Sequence, residues 1–290
     1  MRLIKEPFSI TNQYLSPHAE ASSPATTGSS AIGALPTWNL SDLYPSMECS
    51  ELKADIERAR TECRNLVRDY RGKLAEIAAH QDASSLLAVA IQRYEMIDDI
   101  IGKIISYAGL LYADDSTNPI NSKFYGDTQD QVTSMTSEIL FFQLELNRID
   151  DLLLDNAAQT LPLNHYAPWL SDIRRDKPHQ LDDKIEQLFL EKSTSSASAW
   201  NRLFDETIAS LRFQFGEESL SIEPISNKLQ DADGEIRRQA AEALSKTFQE
   251  NIRIFTLITN TLAKDKEISD RWHHFEDIAD SRHLSNRVEG

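Results

Sequence analysis

The feature that most constrains this chain is one apolar stripe between residues 83 and 113. Leu87, Ile91, Tyr94, Ile97, Ile101, Ile104, Ala108 and Leu111 recur every three or four positions, the period of an α-helix and not of a strand. Gln92, Glu95, Asp99 and Lys103 take the opposite face. Asn118-Pro119 breaks the pattern shortly after it ends, because the residue before a proline is steered out of helical backbone.

The same period continues on both sides, and the spacing predicts a mainly α chain from about residue 47 to 210. A second long helix is expected over 119–146, with Phe124, Val132, Met135, Ile139 and Phe142 on one face. Shorter helices are expected around 147–156, 163–172 and 181–192, punctuated by Pro162, Pro168 and Pro178. Asp182 or Asp183 is placed to cap the last of these. A helix over 197–210 carries Trp200, Leu203, Phe204 and Ile208.

The period then changes. Leu211, Phe213 and Phe215 alternate, Gly-Glu-Glu-Ser intervenes, and Leu220 and Ile222 alternate again. This predicts one short β-hairpin near 211–223. Beyond it, Asp233 is a reasonable N-cap for a helix with Ile236, Ala240, Ala243, Leu244 and Phe248 on one face. A last long helix is expected over about 250–272, through Ile252, Phe255, Ile258 and Leu262.

At the other end, residues 16–34 are small, polar and interrupted by proline. Such a stretch buries too little apolar area to offset its ordering entropy, so residues 1–34 are read as disordered. Order is expected to begin where Trp38, Leu40, Leu43 and Tyr44 can anchor the chain. The expected division is a disordered segment (1–34), a helical domain (35–210) and a hairpin with helices (211–290).

Charge and cysteine usage exclude some functions. Thirty basic residues against 46 acidic ones give a formal net charge of −16, a surface that repels phosphate backbones and anionic lipid. Neither nucleic acid nor membrane is expected as a partner. No apolar run approaches the ~20 residues that cross a bilayer, and Lys5, Glu6 and Pro7 interrupt the start where a signal peptide needs an apolar core. Cys49 and Cys63 fall in one helical region about 21 Å apart at ~1.5 Å per residue, too far for a disulfide. They are read as free thiols of a cytoplasmic protein.

The histidines are His18, His80, His165, His179, His273, His274 and His283, and no pair has the spacing of an HExxH zinc helix. The segment His273-His274-Phe275-Glu276-Asp277 approaches an inverted motif but has Asp where the second His is needed. Asp231-Ala-Asp-Gly suggests a calcium loop, yet Leu229 and Ala240 would occupy its first and last ligand positions. Nucleophile elbows, phosphate loops and dinucleotide glycine patterns are absent from the sequence. Arg237, Arg238, Lys264, Lys266, Arg271, Arg282 and Arg287 form a basic set in an acidic chain, expected to pair with neighbouring acids. No catalytic or metal residue is assigned, and substrate-binding residues stay undetermined.

Seven phrases in order resemble the N-terminal half of oligoendopeptidase F proteins: WNLSDLYPS at 38–46, ISYAGLLYADD at 105–115, EILFFQLELNRI at 138–149, KPHQLDDKIEQLF at 177–189, AWNRLFDETIASLRFQF at 199–215, DGEIRRQAAEAL at 233–244 and DKEISDRWHHFEDIADSRHLSNRVE at 265–289. The resemblance implies zinc endopeptidases that cleave short peptides inside a closed, mostly helical chamber. It implies that the zinc helix and its general-base Glu belong to a C-terminal catalytic half, well past the phrase that ends at residue 289. No residue of this chain matches those positions, so the chain alone is expected to be inactive. The competing reading is a free-standing helical interaction module, or a degenerate peptidase remnant without enzymatic role.

Overall fold

The structure is a computed structural model, and it describes residues 38–288. The segment 1–34 lies outside the described residues. The helices of the described residues begin with α1 (Ser50–Tyr70), α2 (Leu74–Ala78), α3 (Ala83–Asp114), α4 (Pro119–Ile139), α5 (Phe141–Arg148), α6 (Asp151–Ala158), α7 (Ala167–Arg174), α8 (Asp183–Lys192) and α9 (Ala197–Ser210). A hairpin of β1 (Phe213–Phe215) and β2 (Glu218–Leu220) follows. Then come α10 (Ile222–Lys228), α11 (Gly234–Glu250), α12 (Ile252–Trp272) and α13 (Asp280–Asn286). The protein is mainly α, with a single short antiparallel hairpin among the described residues, as expected.

The stripe on α3 is the spine. Leu87, Ile97, Ile101 and Ala108 are fully buried, and α1 and α4 pack along them. Tyr44 anchors the start of the domain: it is 1% exposed, its hydroxyl donates to Asp55 at 2.7 Å, and Lys103 lies 4.0 Å from its ring centre. Trp38 does not share that role and stays 57% exposed. Cys49 caps α1 by accepting from the Leu52 N–H at 3.4 Å. Cys63 is buried in the same helix, and desolvation, followed by the charges of Glu138 and Glu62, pushes its thiol up to about 12. Neither cysteine is in a disulfide.

The expected helix over 119–146 is divided at Leu140 into α4 and α5. At that point the Arg71 guanidinium, from the end of α1, donates to the Glu138 carbonyl at 2.7 Å and sits 4.8 Å from the Phe141 ring centre. A tertiary contact therefore takes a carbonyl of the last turn of α4. The next helix starts at Asp151 rather than 147, with Asp150 accepting from the N–H groups of Leu152 and Leu153. Residues 163–174 form a 3₁₀ turn, Leu163–Tyr166, leading into α7, with Pro168 in its first turn where no N–H is required. Asp182, not Asp183, caps α8.

The hairpin pairs Phe213 with Leu220 and turns through Gly216, whose φ of +60° suits glycine. Ile222 is not part of it. Ile222 opens α10, after which Asp233 caps α11 by accepting from the Glu235 N–H at 2.8 Å. Around the hairpin lies a second, smaller core of Leu211, Phe213, Ile225 and Ala240. No helix among the described residues is long and apolar enough to cross a membrane.

Candidate functional site

A small cavity opens where α5, α7 and α8 meet the end of α12. The aliphatic side is Leu140, Leu144 and Ile173; the polar side is Gln143, Asn147, Asp176, His179, Gln180, Glu186 and His273. Its volume of about 20 Å³ is room for one water-sized molecule.

The end of α12 supplies the residue that reaches in. Phe275 donates its N–H to the Asp270 carbonyl at 3.0 Å and His274 donates to the Arg271 carbonyl at 3.4 Å. These are the two bonds of a Schellman stop, and His274 takes the left-handed position with φ +59°. The pair His273-His274 is thus a helix terminator. His274 turns the chain, and His273 is left 6% exposed, pointing back into the protein.

The ring of His273 is held from both sides. Its Nδ1 lies 2.7 Å from the Ser269 carbonyl, which can only accept, so Nδ1 carries a proton. Its Nε2 lies 3.5 Å from the Glu186 carboxylate. Both side chains are over nine-tenths buried. The other Glu186 oxygen accepts from the Leu181 N–H at 2.9 Å, just ahead of α8. His179 donates from Nδ1 to the His273 carbonyl at 2.8 Å and stacks on Phe275 at 3.9 Å. Phe189 packs 5.2 Å from the His273 ring centre.

Ser269, His273 and Glu186 have the composition of a hydrolytic triad but not its geometry. The Ser269 hydroxyl is 3.4 Å from Nδ1, yet that nitrogen already gives its proton to the Ser269 main chain. It cannot act as a base toward the hydroxyl. Zinc fares no better. Among the described residues no three His, Cys, Asp or Glu side chains converge on a point. The residues present do not fit a zinc site.

The other sequence-selected residues are placed apart from this cavity. His80 lies between α2 and α3 beside Asp82, and His165 in the 3₁₀ turn Leu163–Tyr166 against Tyr166. His283 lies on α13. His18 lies outside the described residues. The basic set mostly pairs within the chain: Arg238 with Glu235 and Glu242, Lys264 and Arg271 with Glu267, Lys266 with Asp270, and Arg287 with Asp172 on α7. Arg237 differs and donates to the carbonyls of Asp231 and Ala232.

Residues 145–213 match the family described as Oligopeptidase F. That stretch contains His179 and Glu186 and runs from α5 into β1. The chain is 26% identical over 249 residues to Oligopeptidase PepF of Bacillus subtilis (strain 168), covering 81% of this chain and 35% of that protein. By family model and by sequence, the chain is similar to oligoendopeptidase F proteins. The fold agrees: it superposes on oligoendopeptidase-F from Enterococcus faecium with a TM-score of 0.72 at 17% identity, covering 82% of this chain and 47% of that one. The chain therefore spans about a third of this curated relative and just under half of the solved one.

Proposed function

We propose that this chain is the N-terminal lobe of a zinc-dependent oligoendopeptidase, a helical wall of a chamber that admits short peptides, with zinc and its general base supplied by a C-terminal half. The lobe alone is inactive. The observation that carries this reading is the unbalanced surface of the last helices. Amphipathic α9 buries no residue fully, α11 buries Ala240 and α12 buries Ile258. Leu203, Phe204, Ile252, Leu257 and Trp272 are left substantially exposed on α9 and α12. Exposed apolar side chains on helices that bury so little of their own surface suit helices that further chain covers. Both named relatives extend well beyond the matched region, which leaves room in each for a catalytic half.

The test is cleavage of a short quenched-fluorescence peptide with and without added zinc. The purified chain should show none. Adding a separately expressed C-terminal half that carries an HExxH helix should restore zinc-dependent cleavage. Activity of the chain alone would refute the reading. A specific observation favours the second reading, a free-standing helical module: the core around α3 is large and closed without the C-terminal helices. A monodisperse monomer that ignores the C-terminal half would support it.

A further inference from the structure

We infer that the cavity between α5, α8 and the end of α12 holds one buried water molecule, which hydrogen-bonds this helix junction together. Two of the residues that line the cavity carry a buried oxygen without a hydrogen-bond partner, Asn147 Oδ1 and Gln180 Oε1. Asn147 is 5% exposed, so bulk solvent does not serve it. The orientation of the Gln180 amide is fixed, because its Nε2 donates to the Leu144 carbonyl at 3.1 Å and leaves Oε1 as the acceptor. Two acceptors call for a ligand with two donors, and a cavity of about 20 Å³ admits one heavy atom. Water meets both conditions.

The position gives this water a structural role. Asn147 is on α5, Gln180 follows the turn Lys177–His179, and that turn holds the His273 carbonyl through His179. The water therefore ties α5 to the segment on which α12 ends. A buried carbonyl oxygen left without a donor is destabilising, whereas one bridged by water is nearly as well served as by a direct bond.

The experiment is a crystal structure of the intact chain, resolved well enough to show ordered solvent, paired with melting curves of Asn147→Leu. Expected is a density peak roughly 2.7–3.2 Å from both oxygens and a melting midpoint lowered by about 2–4 °C in the variant. An empty cavity, or a raised midpoint in the variant, would overturn the inference, because removing a truly orphaned oxygen stabilises. Melts in sodium, potassium and ammonium chloride at equal ionic strength separate water from a cation. Equal midpoints support water; saturable stabilisation by one cation overturns it.

Discussion

Arg174 shows how much of this lobe hangs on single side chains. Its guanidinium is 16% exposed and donates to the carbonyls of Leu146, Asn147 and Ile149 at 3.3, 2.8 and 2.9 Å, while also pairing with Asp151 at 2.6 Å. These carbonyls end α5, where helical N–H donors run out; Leu146 alone also accepts from the Ile149 N–H, at 3.3 Å. Arg174→Ala should lower stability by roughly 3 kcal/mol, since charge-assisted bonds are lost and buried carbonyls are stranded. Arg174→Lys should recover less than half, because one ammonium cannot span three acceptors. Urea midpoints at unchanged slope measure both. Asp69 supplies a pH dependence. Hydrogen bonds from Arg68 and then Arg93 hold its carboxyl well below the ordinary value of 3.8. A carboxyl depressed on folding binds more protons when unfolded, so its contribution is present above about pH 4 and is lost as pH falls below that. Asp69→Asn should flatten the acid limb of a stability–pH curve between roughly pH 2 and 4. An unchanged limb would assign the slope to other carboxylates.

Helix ends make the next scale. His274 holds a left-handed backbone that glycine adopts without a Cβ penalty. His274→Gly should stabilise the Schellman stop by about 1 kcal/mol, and a lowered thermal midpoint would show that the imidazole itself contributes there. Asp233→Ala should cost about 1 kcal/mol and raise amide exchange first in the opening turn of α11. How far such elements can be read in advance depends on whether their cause is local. The α3 stripe and the Asp233 cap rest on neighbours in sequence, and both were legible. The break at Leu140 was not, because Arg71 reaches it from another helix and neither Pro nor Gly marks it. Ile222 continued the strand alternation but starts a helix. In the cavity little was legible: His273 stood out only as part of an incomplete inverted zinc motif. Nothing in the sequence announced Glu186 as its partner, since α8 and the end of α12 meet only through the fold.

At the scale of the molecule, the two larger cores among the described residues are unequal. One runs from Tyr44 to Ile173 with α3 at its centre, and the other consists of Leu211, Phe213, Ile225 and Ala240 with partly buried Phe215, Phe248 and Phe255 around them. Segments with few buried apolar groups open at lower free energy than the rest. The hairpin and α11 should therefore exchange amide protons well before α3. Phe213 decides how separable the two are, being fully buried at the centre of the small core and 5.6 Å from the Phe248 ring centre. Phe213→Ala removes about 3–5 kcal/mol from a core with little to spare. Melting should then split, with residues 211–250 losing protection first while the α3 core keeps its own transition. Ile101→Ala, at the centre of the large core, should instead lower the main transition and take the hairpin with it. Hydrogen exchange read by segment against temperature distinguishes these patterns. A single shared transition in Phe213→Ala would mean that the links from the end of α12 and from Arg287 to the N-terminal helices are strong enough to make the cores one cooperative unit.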